Sequence, residues 1–371
     1  MRLTLAISSA CILSIPSLDA LACGGGAVGP EPQSVGVDAQ RVFLSVLGEN
    51  TEIVTELSLP QTVGDWGVLI PVPVEPTIDP EPLDAEAFDQ LDRETQVVVA
   101  PAQEEGGGGG CGSDGVEAGG GLRGGDLEEG DSVDVGPVTA TVLSTDSGDA
   151  LASWLGDNGF SVSADDQATI DTYATRGRFF VAIRRNETPL TGSTSRIGLH
   201  MTLAGDHRVF PLRMAKVGAA ETVSFVLFLA GPEPLAPDAP FEWFTVDALD
   251  ADLAVNESYA WAVEKEVEAR GGRAWVVEGV WNRDAMTGFQ LPDALRALTA
   301  PGQVVTRLST RMHPEDLNDD ASFFSSGEGT VPTTIQQPAQ SGCRVGKRRA
   351  VPGVVALLAA LALVAVGRRR K

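Results

Sequence analysis

His200, His207 and His313 are the only histidines in the chain, and they are the first residues to weigh as catalytic or metal-binding groups. A zinc site needs His or Cys side chains that return at short spacing, as in H-E-x-x-H or paired C-x-x-C, and nothing of that kind surrounds any of the three. No zinc site is expected; His200, in a strand-like run, and His207, in the turn after it, read as structural. There is no G-x-S-x-G elbow, no S-x-x-K and no phosphate-binding G-x-x-x-x-G-K-[ST]. A Ser, His and Asp triad assembled in space leaves no trace in spacing, and with 51 Asp and Glu residues no carboxylate pair can be singled out. The reading therefore names no catalytic residue, no metal ligand and no cofactor.

Two motif fragments match a pattern without its context. Gly110-Cys111-Gly112-Ser113-Asp114-Gly115 has the form G-x-G-x-x-G and follows a strand-like run, but no helix follows it, as dinucleotide binding requires. Asp316-x-Asn318-x-Asp320 begins like a calcium loop, then has Ala321 where the pattern asks for Gly and Gly327 where it asks for Glu. An Asx-rich turn after Pro314 is the expectation there.

The cysteines bear on location. Met1-Arg2, the apolar run "LTLAISSACILSIPSLDALA" and the A-x-A site ending at Ala22 read as a secretory signal peptide over 1–22, with the mature chain beginning at Cys23. Lipidation of Cys23 is the rival reading; such a site favours Leu at Ala20 and a small residue at Leu21. With Cys11 removed and Cys343 in the tail, Cys23 and Cys111 are the disulfide candidates of an exported body. The loop they would close, about 90 residues, corresponds to roughly 4 to 5 kcal/mol in the chain-entropy treatment.

At the other end, residues 351–367 form an apolar segment that reads as a transmembrane helix. Its core of about 16 apolar residues spans roughly 24 Å, against about 30 Å for a hydrocarbon core, with basic flanks that extend its reach. Basic residues lie on both sides, so the positive-inside rule is silent. The signal peptide places the body outside and the basic end 368–371 inside. Setting both ends aside, the body has 18 basic against 50 acidic residues. So acidic a surface repels a nucleic-acid backbone and is not drawn to anionic lipid, so no nucleic acid is expected as a partner. The expected partners are the membrane, through the tail or an anchor at Cys343, and an unidentified protein or ligand.

The elements between the ends are mixed. "SVGVDAQRVFLSVL" and "TEIVTELSLP" alternate apolar and polar residues like half-buried strands. "DWGVLIPVPVEPTIDPEP" supports a strand to about Ile70, beyond which its prolines demand an edge or an extended segment. "AEAFDQLDRE" reads as a helix and "TQVVVAPA" as a strand. Residues 104–131, about half glycine, read as a flexible acidic insert. "TATVLS" reads as a strand, followed by a helix over "DSGDALASWLGDNG", begun by Asp146 or Ser147, stopped by Gly159, and presenting Leu151, Trp154 and Leu155 on one apolar face. "ADDQATIDTYATRG" is a second helix. "RFFVAIRR", "TSRIGLHMTLAG", "HRVFPLRMAKVG" and "ETVSFVLFLAG" are four strand-like runs that suggest an antiparallel sheet. A helix over "ESYAWAVEKEVEARGG", stopped by Gly271, and strands over "RAWVVEGVW" and "QVVTRLSTRM" complete the body, and 326–350 reads as a linker.

Two resemblances follow from these residues. Cys343 in "SGCRVG", a short apolar helix and a terminal Arg cluster resemble the myxobacterial C-terminal sorting signal MYXO-CTERM, to which Lys347-Arg348-Arg349 is an addition. That resemblance implies processing and anchoring at Cys343 and display on the outer surface. Cys23-Gly24-Gly25, "WGVLIPVP", "VGPVTATVLSTDSGDALASWLGDNGF", "FFVAIR" and "VTRLSTRMHPEDLNDDASF" resemble the bacterial envelope family catalogued as domain of unknown function 2330. It covers most of 23–325 and implies export and one large domain, with no catalytic residues to carry over. The expected protein is an exported α+β domain, largely antiparallel sheet with several helices, plus the C-terminal transmembrane helix. Its expected role is structural or binding, with an envelope hydrolase or a cation-binding surface protein as alternatives.

Overall fold

The structure, a computed structural model, describes residues 26–28, 40–59, 67–100, 127–190, 195–219, 222–288, 290–326 and 334–336. Ala22, Cys23, Cys111, Cys343 and the segment 351–367 lie outside the described residues. No described helix is long and apolar enough to cross a membrane.

In chain order the main elements are strands β1 (Gln40–Leu47), β2 (Asn50–Ser58) and β3 (Gly67–Val72), then helix α1 (Glu86–Thr95). Strand β4 (Val138–Ser144) leads to helices α2 (Gly148–Asp157) and α3 (Ala164–Ala174), then β5 (Phe179–Arg185), β6 (Arg196–Ala204) and β7 (Val223–Gly231). Helix α4 (Tyr259–Ala269), β8 (Ala274–Asn282) and β9 (Val304–Met312) close the series. The fold is α+β with mostly antiparallel sheets, as expected.

A nine-stranded sheet carries the strand order Glu242–Thr245, β8, β9, β7, β1, β2, β6, Pro76–Ile78, with Leu83–Asp84 also on β6. Within it β7 runs parallel to β1, and the first strand parallel to β8; the other pairs are antiparallel. A five-stranded antiparallel sheet holds Gly26–Val28, β3, β5, β4 and Glu128–Val135. The four consecutive strand-like runs expected to form one sheet do not pair with one another. β5 joins the smaller sheet and β6 pairs with β2, while β7 lies between β9 and β1. Pairing of distant strands is decided by which apolar faces can be buried together, information that no single run contains.

The third of those runs is corrected in type as well. Only Val209–Phe210 is strand; Leu212–Lys216 is a 3-10 helix. Pro211 supplies no N–H to a ladder and ends the pairing there. In β3 the strand continues through Pro71 to Val72, further than expected. Its neighbour Gly26–Val28 pairs only with Gly67–Leu69, so at Pro71 the strand has β5 alone beside it, an edge in all but name. Strand Glu128–Val135 takes the end of the acidic Gly-rich tract, and Thr334–Gln336, inside the expected linker, pairs with Val98–Ala100.

The face of the large sheet that carries Val42, Thr55, Leu57 and Leu199 is covered twice. Over β2 and β6 it packs on the smaller sheet, where Leu57, Leu199 and Met201 meet Val68, Ile70 and Val181. Over β7 to β9 it packs on α4 and on short segments around Phe210 and Phe323, with Trp275 wholly buried. The opposite face buries Phe43, Val54 and Phe228 under Phe88 and Leu91 of α1. The far side of the smaller sheet is closed by α2 and α3 through Leu151, Leu155, Ile170 and Tyr173. Ser147 caps α2 by accepting from the Ala150 N–H at 3.3 Å, and Gly159, at φ +87°, ends it.

Candidate functional site

An apolar cleft opens where the two cores of that doubly covered face part. Val42, Leu44, Ile53 and Met201 of the large sheet form its floor, Ile70 and Val72 of β3 one wall, and Val209 and Phe210 its lip, beside a mouth open to solvent. The register explains the floor. Thr55 sits between Val42 on β1 and Leu199 on β6, so Ile53, Thr55 and Leu57 share one face by the two-residue period of the strand. Thr55 is therefore a polar residue set in an apolar stripe. It is 2% exposed, lines the cleft, and its hydroxyl has no hydrogen-bond partner among the described residues. A buried hydroxyl left unpaired costs about 1–3 kcal/mol, which makes its position in a cleft informative.

None of the three histidines has a serine hydroxyl among its described hydrogen-bond partners. His200 Nε2 lies 2.9 Å from Glu52 Oε2 and its Nδ1 lies 3.3 Å from Asp79 Oδ2, so both ring nitrogens face carboxylates. Asp79 is held below the usual carboxylate range, first by the Glu81 N–H and then, against some burial, by His200. His207 Nε2 is 2.7 Å from the Ala204 carbonyl oxygen.

His313, just after β9, is different. It faces two carboxylates one helical turn apart on α4: Glu268 Oε1 at 3.2 Å and Glu264 Oε1 at 4.0 Å from its Nε2. This is the group of ligand-type side chains close enough among the described residues to hold a metal ion. The spacing Glu264 to Glu268 in "VEKEVEA" was visible in the sequence as two acids on one helix face. Their partner 45 residues further on was not, because it is brought in by packing of α4 against β9. Thr55 also had a signal, a polar residue on the apolar face of "TEIVTELS".

The Asp316, Asn318, Asp320 fragment is a structural turn. Asp320 accepts from the Tyr173 hydroxyl and from the Arg213 N–H, and Asn318 donates to the Glu315 carbonyl. Burial, with Asp320 beside it, pushes the Tyr173 hydroxyl well above its ordinary range.

A buried ionic network lies on the α1 side of the sheet. Arg41 meets Glu56 at 2.6 Å and Asp89 at 2.7 Å, while Arg196 joins the same two acids. Arg307 pairs with Asp92 at 2.6 Å and with Glu278, which also accepts from Tyr259 and Ser309. Burial works against the Arg41 and Arg307 charges, but the facing carboxylates outweigh it and hold both above the ordinary range. Glu278 reaches this position from a β-bulge between Val277 and Gly279. A Cβ at Gly279 would stand 2.1 Å from the Trp281 ring, so the bulge requires glycine. With every charge paired, the network fastens α1 to the sheet and offers no free acid or base.

Over residues 19–324 the chain matches a family described as "Uncharacterized protein conserved in bacteria (DUF2330)". No curated protein matches it. Two solved structures of a mutated baculovirus P35 after caspase cleavage are similar at 8% and 9% identity, covering 56% and 55% of this chain and 70% and 73% of theirs. Their TM-score of 0.25 is too low to establish a shared fold.

Proposed function

Because the chain belongs to the bacterial family DUF2330, we propose that it is an exported binding protein of the cell envelope, held there by its C-terminal tail or by an anchor at Cys343. Its ectodomain takes a small apolar ligand, carrying one hydrogen-bonding group, into the cleft between the sheets. The observation that carries this reading is Thr55: an apolar cleft with a single buried hydroxyl in its floor has the composition of a small-molecule site. Binding is favoured over hydrolysis because the described contacts of His200, His207 and His313 are carboxylates and a carbonyl, without a nucleophile.

Nile red, a neutral apolar dye with one carbonyl acceptor, tests the cleft. The reading expects saturable binding with blue-shifted emission, and its loss in Val209→Trp, which places an indole at the lip where Val209 is 39% exposed. No saturable binding, or binding indifferent to that substitution, refutes it. The address is tested separately by the intact mass of the protein from its native envelope fraction. A mass from Cys23 to about Cys343 plus an adduct means a removed tail and surface display, and a mass through Lys371 means a retained membrane helix. A mass that still includes residues 1–22 counts against export.

A further inference from the structure

We propose that Glu264, Glu268 and His313 form a site for a divalent transition-metal ion of the zinc type, with its remaining position open to solvent. This site is separate from the cleft and does not rest on the ligand reading.

The ligand atoms, one from each residue, all lie within 4.8 Å of one another. An ion about 2.0–2.2 Å from each donor places tetrahedral neighbours about 3.3–3.5 Å apart. The 3.2 Å between Glu268 Oε1 and His313 Nε2 is already of that size, and the 4.0 Å to Glu264 Oε1 is too long for a hydrogen bond. Bringing the remaining separations, all within 4.8 Å, to that size takes side-chain shifts of about 1 Å, within ordinary rotamer motion.

The two carboxylates are arranged alike. Each keeps Oε2 against a cation, Arg311 Nε at 2.6 Å for Glu264 and Lys265 Nζ at 2.6 Å for Glu268, and turns Oε1 toward His313. Ligands steadied from behind by a second partner are what a metal site needs.

Glu264 is the buried member of the group. Its side chain is 6% exposed, and its ion pair with Arg311 Nε engages Oε2 at 2.6 Å. That single cation partner leaves Oε1, the oxygen turned toward His313, as the one an ion would use. The site also lies in the last turns of α4, where the helix dipole favours a cation. One imidazole with two carboxylates suits Zn²⁺ or Fe²⁺. It is a poor set for Ca²⁺, which takes about 6–8 oxygens.

The test uses the full chain stripped with a chelator. Calorimetry with Zn²⁺ alone is expected to show one saturable equivalent per chain, and Co²⁺ the visible absorption of a tetrahedral ion. His313→Ala and Glu268→Gln, both at partly exposed positions, should each weaken that equivalent by about tenfold or more and abolish the rise in Tm that Zn²⁺ gives the parent. Glu242→Gln, outside the site, should change neither. If Glu264→Gln fails to fold, the other two variants still decide. Absence of a saturable equivalent overturns the proposal, as does an equivalent retained in both His313→Ala and Glu268→Gln, which would place the ion elsewhere on the acidic surface.

Discussion

The guanidinium of Arg41 on β1 and the carboxylate of Asp89 on α1 meet at 2.7 Å across 48 residues of chain. Arg41 also reaches Glu56 at 2.6 Å, and the Glu56 side chain is only 7% exposed. Removing one partner of a buried pair leaves an uncompensated charge, at a cost of about 3–5 kcal/mol. Arg41→Ala should approach that loss in urea unfolding, whereas Arg196→Ala, at a side chain 40% exposed, should cost about 1 kcal/mol or less. Equal losses would mean that the two arginines share Glu56 evenly.

Asp89 sets a pH window. Hydrogen bonding to Arg196, and then Arg41, holds its carboxyl at about 2, below the ordinary 3.8. A depressed carboxyl contributes stability that is present above the unfolded value and lost as pH falls through the folded one. A shift of this size corresponds to about 2 kcal/mol if fully buried; with the side chain 35% exposed, about 1 kcal/mol is expected after screening. Urea midpoints for the parent should therefore fall between about pH 4 and pH 2 more steeply than those of Asp89→Asn. Parallel curves would remove Asp89 as the source.

Tyr173→Phe probes the Asp320 turn. The hydroxyl donates to Asp320 and accepts from the Met214 N–H at 3.1 Å; its loss removes both bonds, while Asp320 keeps the Arg213 N–H and the Met214 N–H keeps the Pro211 carbonyl, so the cost should be about 1 kcal/mol. Added Ca²⁺ should leave the Tm of the parent unchanged. A calcium-dependent rise abolished by Asp320→Asn would reverse that assignment.

Thr55→Val separates binding from stability. The substitution keeps the shape and removes a buried hydroxyl without a described partner, so the fold should gain up to about 1 kcal/mol. Nile red, whose carbonyl the hydroxyl would serve, should bind several-fold more weakly. Destabilisation on Thr55→Val would show that the hydroxyl is satisfied in solution by something other than the ligand.

Ser147→Ala should cost about 1 kcal/mol, since the Ala150 N–H loses its cap. The loss should appear as earlier hydrogen exchange in α2 and α3, which together cover the smaller sheet.

Local chemistry carried much of the fold. The alternation in "TEIVTELS", the Ser147 to Gly159 bracket around α2, the helix stopped at Gly271 (φ +78°) and the α+β class with its antiparallel strands were all legible, because periodicity, caps and glycine stops act within a few residues. The family resemblance was legible too, through runs such as "VGPVTATVLSTDSGDALASWLGDNGF", and the family match spans residues 19–324. Strand pairing was not. That β7 lies between β9 and β1, and that β5 leaves for the other sheet, follows from which faces exclude water together, and a run of alternating residues is compatible with many partners. The candidate sites belong to the same class. Thr55 looks like one more polar residue until β3 closes over it, and His313 has no metal-ligand spacing to any neighbour in the chain. Its companions Glu264 and Glu268 come from a helix some 45 residues away, placed against β9 by the burial of Val263 and Val267. Short-range propensities are written in adjacent residues; convergence of side chains is a property of the packed core.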